Sequence, residues 1–184
     1  MILAYFSRKR KNREIVDRIY RQLTSIARNP AYYAEMHVPD TVMGRFEMLS
    51  LVMVLFFRRM DSSGPALKEL SQDVVDTFFE DMDHSLRELG IGDQSVPKRM
   101  KKLAQMFYGR AQSYGTALND GDAGALAEAL YRNIYPADRA EAEAAERKEA
   151  ADMQQLAAAA AGLDAAFSKL TEADLLAGTL VLET

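Results

Sequence analysis

Residues 48–57, MLSLVMVLFF, form the most apolar run of this chain, with Ser50 the one polar residue in it. What that run is decides the fold. A helix that crosses a bilayer needs about 20 apolar residues. This run has ten, and charge closes it at both ends, with Arg45 and Glu47 before it and Arg58 and Arg59 after. We read it as the middle of a helix from about Val42 to Met60. A helix apolar all round must meet neighbours on several sides, so it belongs at the centre of a helical bundle. Asp40 or Thr41 is placed to cap its start.

On the N-terminal side, Ile15, Ile19, Leu23 and Ile26 recur at helical spacing and predict a helix from about Arg13 to Arg28. Asn29-Pro30 ends it. Residues 31–36 read as a turn or short helical piece, and His37 to Thr41 as a loop. On the C-terminal side, Asp61 to Pro65 breaks the chain, and Pro65 suits a first helical turn. Helix is then expected from Ala66 to Leu89, stopped by Gly90 in a left-handed conformation. Ser95 is placed to cap a further helix with Pro97 in its first turn. Asp122 caps another, which carries Leu126, Leu130 and Ile134 and ends at Tyr135-Pro136. Beyond Asp138 the chain turns alanine-rich, which favours helix. Met153, Leu156, Leu163 and Phe167 should pack that helix back on the body. Thr171 to Ala177 reads as a last turn, and Thr179 to Leu182 as a short apolar, extended tail. Strand alternation, hairpin turns and internal repeats are absent from the sequence. The expected fold is all-α, an irregular multi-helix bundle around the helix at 42–60. Residues 13–184 form its single domain, and residues 1–12 a basic, flexible tail.

Charge is unevenly spread. The 184 residues carry a net charge of −4, yet residues 1–30 hold eight bases and two acids. Met1 to Phe6 is apolar and is followed by Arg8, Lys9, Arg10 and Lys11, then Arg13. An export signal has the opposite order and a longer apolar region, so we expect a cytoplasmic protein, peripheral at most to the inner face of a membrane. A short greasy tip backed by cations suits weak contact with RNA or anionic lipid.

A second asymmetry lies between Asp73 and Tyr114. Residues 73–93 carry seven acids and one base, and residues 98–110 carry five bases and no acid. On the first helix Val74, Phe78, Met82, Leu86 and Leu89 share a face. On the second, Val96, Met100, Leu103, Phe107 and Tyr114 do. Lys98, Arg99, Lys101 and Lys102 crowd the start of the second helix, where the helix dipole already carries roughly half a positive charge. The acidic helix neutralises them, or they form a surface for an acidic or phosphate-bearing partner, or both hold together.

Chemistry-bearing patterns are few. The chain has no cysteine, which excludes disulfides, thiolate metal sites and cysteine nucleophiles. Gly90 and Gly92 do not continue into a dinucleotide fingerprint, and neither a phosphate loop nor a nucleophile elbow is present. Glu80, Asp81, Asp83 and His84 read as a solvated acidic face rather than a metal site. Asn119 to Asp122 lacks the glycine and the glutamate of a calcium loop. No metal, cofactor or catalytic residue is expected. A pI near 5.3 and the lack of a nucleic-acid-binding motif argue against a DNA partner.

Several stretches together resemble the ubiquinol–cytochrome c chaperone family. They are Ala31-Tyr32-Tyr33, Val38-Pro39-Asp40-Thr41 with Gly44-Arg45-Phe46-Glu47, and Asp81-Met82-Asp83. Arg87 to Asp93 follows, with Ser95-Val96 and Lys98 to Lys102, then Phe107-Tyr108-Gly109-Arg110 and Tyr114. The resemblance covers about residues 13–135. It implies a non-enzymatic assembly factor for respiratory complex III whose client is cytochrome b or another subunit of the complex. Mitochondrial relatives bind newly made cytochrome b, work with a small partner protein and associate with the ribosome. The alanine-rich end and the lack of a presequence suggest a bacterial chain. On this basis Arg87, Asp93, Lys98, Arg99, Lys101, Lys102 and Arg110 are the expected partner-binding surface. Arg8, Lys9, Arg10, Lys11 and Arg13 are the expected contacts to ribosome or anionic membrane. The alternative is a helical module that binds RNA or a membrane surface through its cations.

Overall fold

The structure is a computed structural model that describes the backbone of residues 2–61, 63–135 and 143–182, with side chains described at 12–61, 63–135 and 152–182. Among the described residues every regular element is a helix. In chain order these are α1 (Ile2–Ala27), α2 (Pro30–Ala34), α3 (Val42–Asp61), α4 (Pro65–Glu88), α5 (Val96–Asn119), α6 (Ala123–Ile134), α7 (Glu143–Ser168) and α8 (Glu172–Ala177). No described helix is long and apolar enough to cross a membrane.

The apolar run sits where its composition requires. Every residue from Phe46 to Phe56 is buried, because α3 packs against α1, α4, α5, α6 and α7. Burying a large apolar side chain stabilises a fold by about 1.5–3 kcal/mol, so α3 contributes more per residue than any amphipathic neighbour can. Aromatic rings join the layers. Phe56 meets Phe167 of α7 edge-on at 6.1 Å, and Phe46 lies 6.3 Å from Phe78 of α4.

Local signals set the start of α3. The Thr41 hydroxyl accepts a hydrogen bond from the Gly44 amide at 3.1 Å. The preceding loop lies so close that a Cβ on Gly44 would stand 1.8 Å from the Pro39 carbonyl oxygen. Only glycine permits that approach. At α6, Asp122 accepts from the Ala125 amide at 2.9 Å, as expected of a cap.

Two readings are corrected. Helix α1 starts at Ile2, not near Arg13, so the backbone of the basic segment continues the helix. The side chains of Arg8, Lys9, Arg10 and Lys11 lie outside the described residues. Ser95 makes no capping hydrogen bond. A capping hydroxyl needs an extended backbone to reach the free amides, and Ser95 is already helical at φ −93°, ψ −23°. Pro97 alone marks that start.

The alanine-rich segment folds back as expected, with Met153, Leu156 and Phe167 fully buried. Helix α8 opens with a reciprocal cap between Thr171 and Asp174. The tail after it is held on α1. The Gln22 side chain donates to the Gly178 carbonyl at 2.8 Å and accepts from the Leu180 amide at 3.0 Å.

Candidate partner-binding surface

Helices α4 and α5 form an antiparallel hairpin. Its turn is built by Gly90 at φ +77°. The Gly90 amide reaches the Arg87 carbonyl at 3.0 Å and the Ile91 amide reaches the Leu86 carbonyl at 3.2 Å. This paired pattern satisfies carbonyls that the end of a helix leaves open, and it needs a left-handed residue at its centre.

Arg87 and Asp93 brace the turn. The Arg87 guanidinium donates to both carboxylate oxygens of Asp83, at 2.7 and 3.3 Å, and also to Asp93. The hydrogen bond from Arg87 holds the Asp83 carboxyl below its ordinary pKa. Half-buried Asp83 and exposed Arg87 and Asp93 largely satisfy one another.

Three other acids of α4 have partners of their own. Asp81 accepts from the Tyr20 hydroxyl of α1 at 2.7 Å. Burial, and then Asp81 itself, push the Tyr20 phenol well above its ordinary value. Asp76 accepts from Gln72 at 2.8 Å, and His84 lies 3.1 Å from Glu88. The side chains of Asp81, Asp83 and His84 are thus turned to different partners, and no group of three acidic or imidazole side chains converges on a metal position among the described residues.

Lys98, Arg99, Lys101 and Lys102 are all exposed. No ion pair engages them among the described residues. No described carboxylate of α4 makes a direct ion pair with them: Asp81 is turned to Tyr20 and Asp83 to Arg87. The ridge presents four cations where the dipole of α5 adds further positive potential. Arg13, on α1, is also exposed.

Arg110 is not part of that ridge. Only 6% of it is exposed. Its guanidinium donates through Nε and Nη2 to the two carboxylate oxygens of Glu47 in α3, and through Nη1 to the Met106 carbonyl at 2.8 Å. It also lies 5.7 Å from the Phe46 ring centroid. Burial pushes the Glu47 carboxyl up from its ordinary pKa, against the pull of Arg110. This pair locks α3 to α5 and is closed to any partner.

What the charge reading missed is apolar. Tyr108 is 58% exposed. Its ring lies 6.4 Å from that of Phe79 on α4, which in turn meets Phe107 at 5.9 Å. The signal for it was present: Tyr108 falls outside the buried stripe of α5 yet is large and aromatic.

Comparison with known proteins places this arrangement. The crystal structure of the Cbp3 homolog from Brucella abortus matches with a TM-score of 0.83 and 46% identity, over 100% of this chain and 97% of that one. Residues 34–182 match the family model described as ubiquinol–cytochrome C chaperone. The chain belongs to that family. Ubiquinol-cytochrome-c reductase complex assembly factor 1 of Xenopus laevis is 25% identical over 103 residues, 56% of this chain, and the match spans about half the length of that curated relative. The chaperone family's matched stretch includes the whole of α3 to α8, hence the hairpin and its cations. It runs on through the alanine-rich α7 and α8, where no motif was readable, and leaves α1 outside. Membership places the chain among chaperones rather than enzymes.

Proposed function

We propose that this chain is a non-catalytic assembly factor for ubiquinol–cytochrome c reductase, respiratory complex III, acting on newly made cytochrome b from the cytoplasmic side. The observation that carries the reading is the hairpin of a chaperone-family fold that leaves Lys98, Arg99, Lys101 and Lys102 exposed and without an ion pair among the described residues. An unassembled membrane subunit exposes apolar surface that must be shielded until its partners arrive. A rigid helical body with an exposed aromatic and a cationic ridge offers cover and an electrostatic anchor, with no need for bond chemistry. The cations suit the anionic leaflet or ribosomal RNA beside which such a client emerges.

The test is genetic and direct. Deleting the gene should lower complex III, read as cytochrome b absorption and ubiquinol–cytochrome c reductase activity in membranes. Restoring the chain with Lys98→Glu, Arg99→Glu, Lys101→Glu and Lys102→Glu should not recover it. A normal complex III level in the deletion strain would defeat the reading. The second reading, a module that binds RNA or a membrane surface, rests on the same cations. It is favoured if the purified chain binds RNA or anionic vesicles with steep salt dependence while complex III is untouched.

A further inference from the structure

Beside the hairpin turn, α4 carries a second feature that the cationic ridge does not use. Asp76, Phe79, Glu80 and Asp83 line an open groove of about 570 Å³. Phe79, half-buried, is the aromatic residue of that lining, and the exposed Tyr108 ring of α5 lies 6.4 Å from it. The acids at 76, 80 and 83 fall one and two helical turns apart, so they stand in a row beside the rings. Glu80 is exposed and has no partner among the described residues, and Asp76 is met only by neutral Gln72.

We propose that this groove holds a cationic, apolar segment of the client: the Lys/Arg-rich cytoplasmic flank of a membrane-spanning helix. The proposal rests on the assembly-factor reading above and names what the chaperone grips. The chemistry selects that occupant on two grounds. Membrane proteins concentrate Lys and Arg in their short cytoplasmic loops, next to the ends of apolar helices. A groove with an aromatic ring and an acidic rim matches such a segment, which lays its apolar residues on Phe79 and the neighbouring Tyr108 and its cations along Asp76 and Glu80, since Asp83 is already held by Arg87. The rings also attract a cation over their faces. The neighbouring cationic ridge repels the same segment and faces the anionic leaflet instead. Opposite charges on the two helices thus divide the work: α4 takes the client and α5 takes the surface it comes from.

The experiment uses the full chain and a labelled helical peptide of about 18 residues, five turns. Leu and Phe lie on one face of the peptide, flanked by Lys. A counterpart has every Lys replaced by Glu. Fluorescence anisotropy should show binding of the cationic peptide alone, weakening as salt rises. Asp76→Asn with Glu80→Gln should raise Kd at least about tenfold, as loss of complementary charges does at an interface, and Tyr108→Ala should do so independently. Both variants change exposed side chains, so thermal melts should match the parent. Equal binding of the cationic peptide to the neutralised variant would overturn the proposal. So would preferential binding of the anionic peptide, or concentration-dependent self-association that the same two substitutions abolish, since the groove would then hold a second copy of this chain. In cells, a deletion that lowers complex III but is rescued fully by the groove variant sinks the groove and leaves the assembly role standing. A deletion with normal complex III sinks the assembly role, whatever the peptides do.

Discussion

Arg110 shows how a single residue is misread from charge alone. It follows four other bases, and the sequence places it with them on a recognition surface. Yet Leu103, Phe107, Arg110 and Tyr114 are spaced by four, three and four residues, the period of one helix face. Phe107 and Tyr114 are buried, so Arg110 is buried between them. Glu47 is its counterpart, an acid next to the apolar run of α3. Each was visible as a charge on an apolar stripe, and the pairing follows from the rule that buried charges are partnered. Which acid pairs with which base was not legible, because it depends on how α3 and α5 are rotated against one another. The energetic consequence is specific. Removing one partner strands the other, which costs about 3–5 kcal/mol, whereas replacing both with apolar groups of like volume is often neutral. Glu47→Leu and Arg110→Met should each lose about that much in urea denaturation, and the double variant much less than the sum. Additive losses would show that the two charges do not depend on one another.

At the scale of the element, the α4–α5 hairpin was the most legible part of the chain. Its two apolar stripes, the stop at Gly90 and the reversal of charge across the turn were all present in residues 73–114, though Leu89, read as part of the α4 stripe, is 56% exposed just past the end of that helix. What the sequence left open was whether the two charged helices neutralise each other. The structure shows that two of the acids are directed away from the cations: Asp81 is turned to Tyr20, and Asp83 to Arg87. The Asp83 contact has a measurable sign. Its folded pKa is lowered by Arg87, so the contact's contribution is present above the ordinary carboxylate value and is lost as pH falls through the depressed one. An NMR titration of the Asp83 carboxyl carbon should place its midpoint below the usual 3.8. In Arg87→Gln the midpoint should rise toward that value. A midpoint that does not move on substitution would mean that the guanidinium is not what holds the turn. The ridge cations have no such partners among the described residues and should be the residues that respond to an added polyanion.

At the scale of the whole molecule, the chain closes on itself through contacts that no local pattern announces. The apolar stripe of α7 was readable, and so was the final turn at Thr171. That the tail after α8 returns to α1 was not, because it rests on one amide side chain more than 150 residues away. Gln22 donates to the Gly178 carbonyl and accepts from the Leu180 amide, as a neighbouring strand would. Arg18 adds a hydrogen bond to the Ala177 carbonyl at 3.1 Å. Gly178, at φ +70°, lies so close that a Cβ would stand 3.3 Å from Ile15. Helix α1 falls before the family's matched stretch, yet it is what the end of that stretch is fastened to. The fastening should therefore be local in its effect. Two hydrogen bonds at about 0.5–1.5 kcal/mol each predict that Gln22→Ala lowers the opening free energy of residues 178–182 by about 1–3 kcal/mol. Amide exchange at Leu180 should speed up by roughly tenfold to a hundredfold, while amides within α3 keep the parent's rates. If Leu180 exchanges as slowly in the variant as in the parent, the tail is held by burial of its own side chain and not by Gln22. If the α3 amides accelerate together with Leu180, the closure of tail on α1 belongs to the global fold rather than to a separable end.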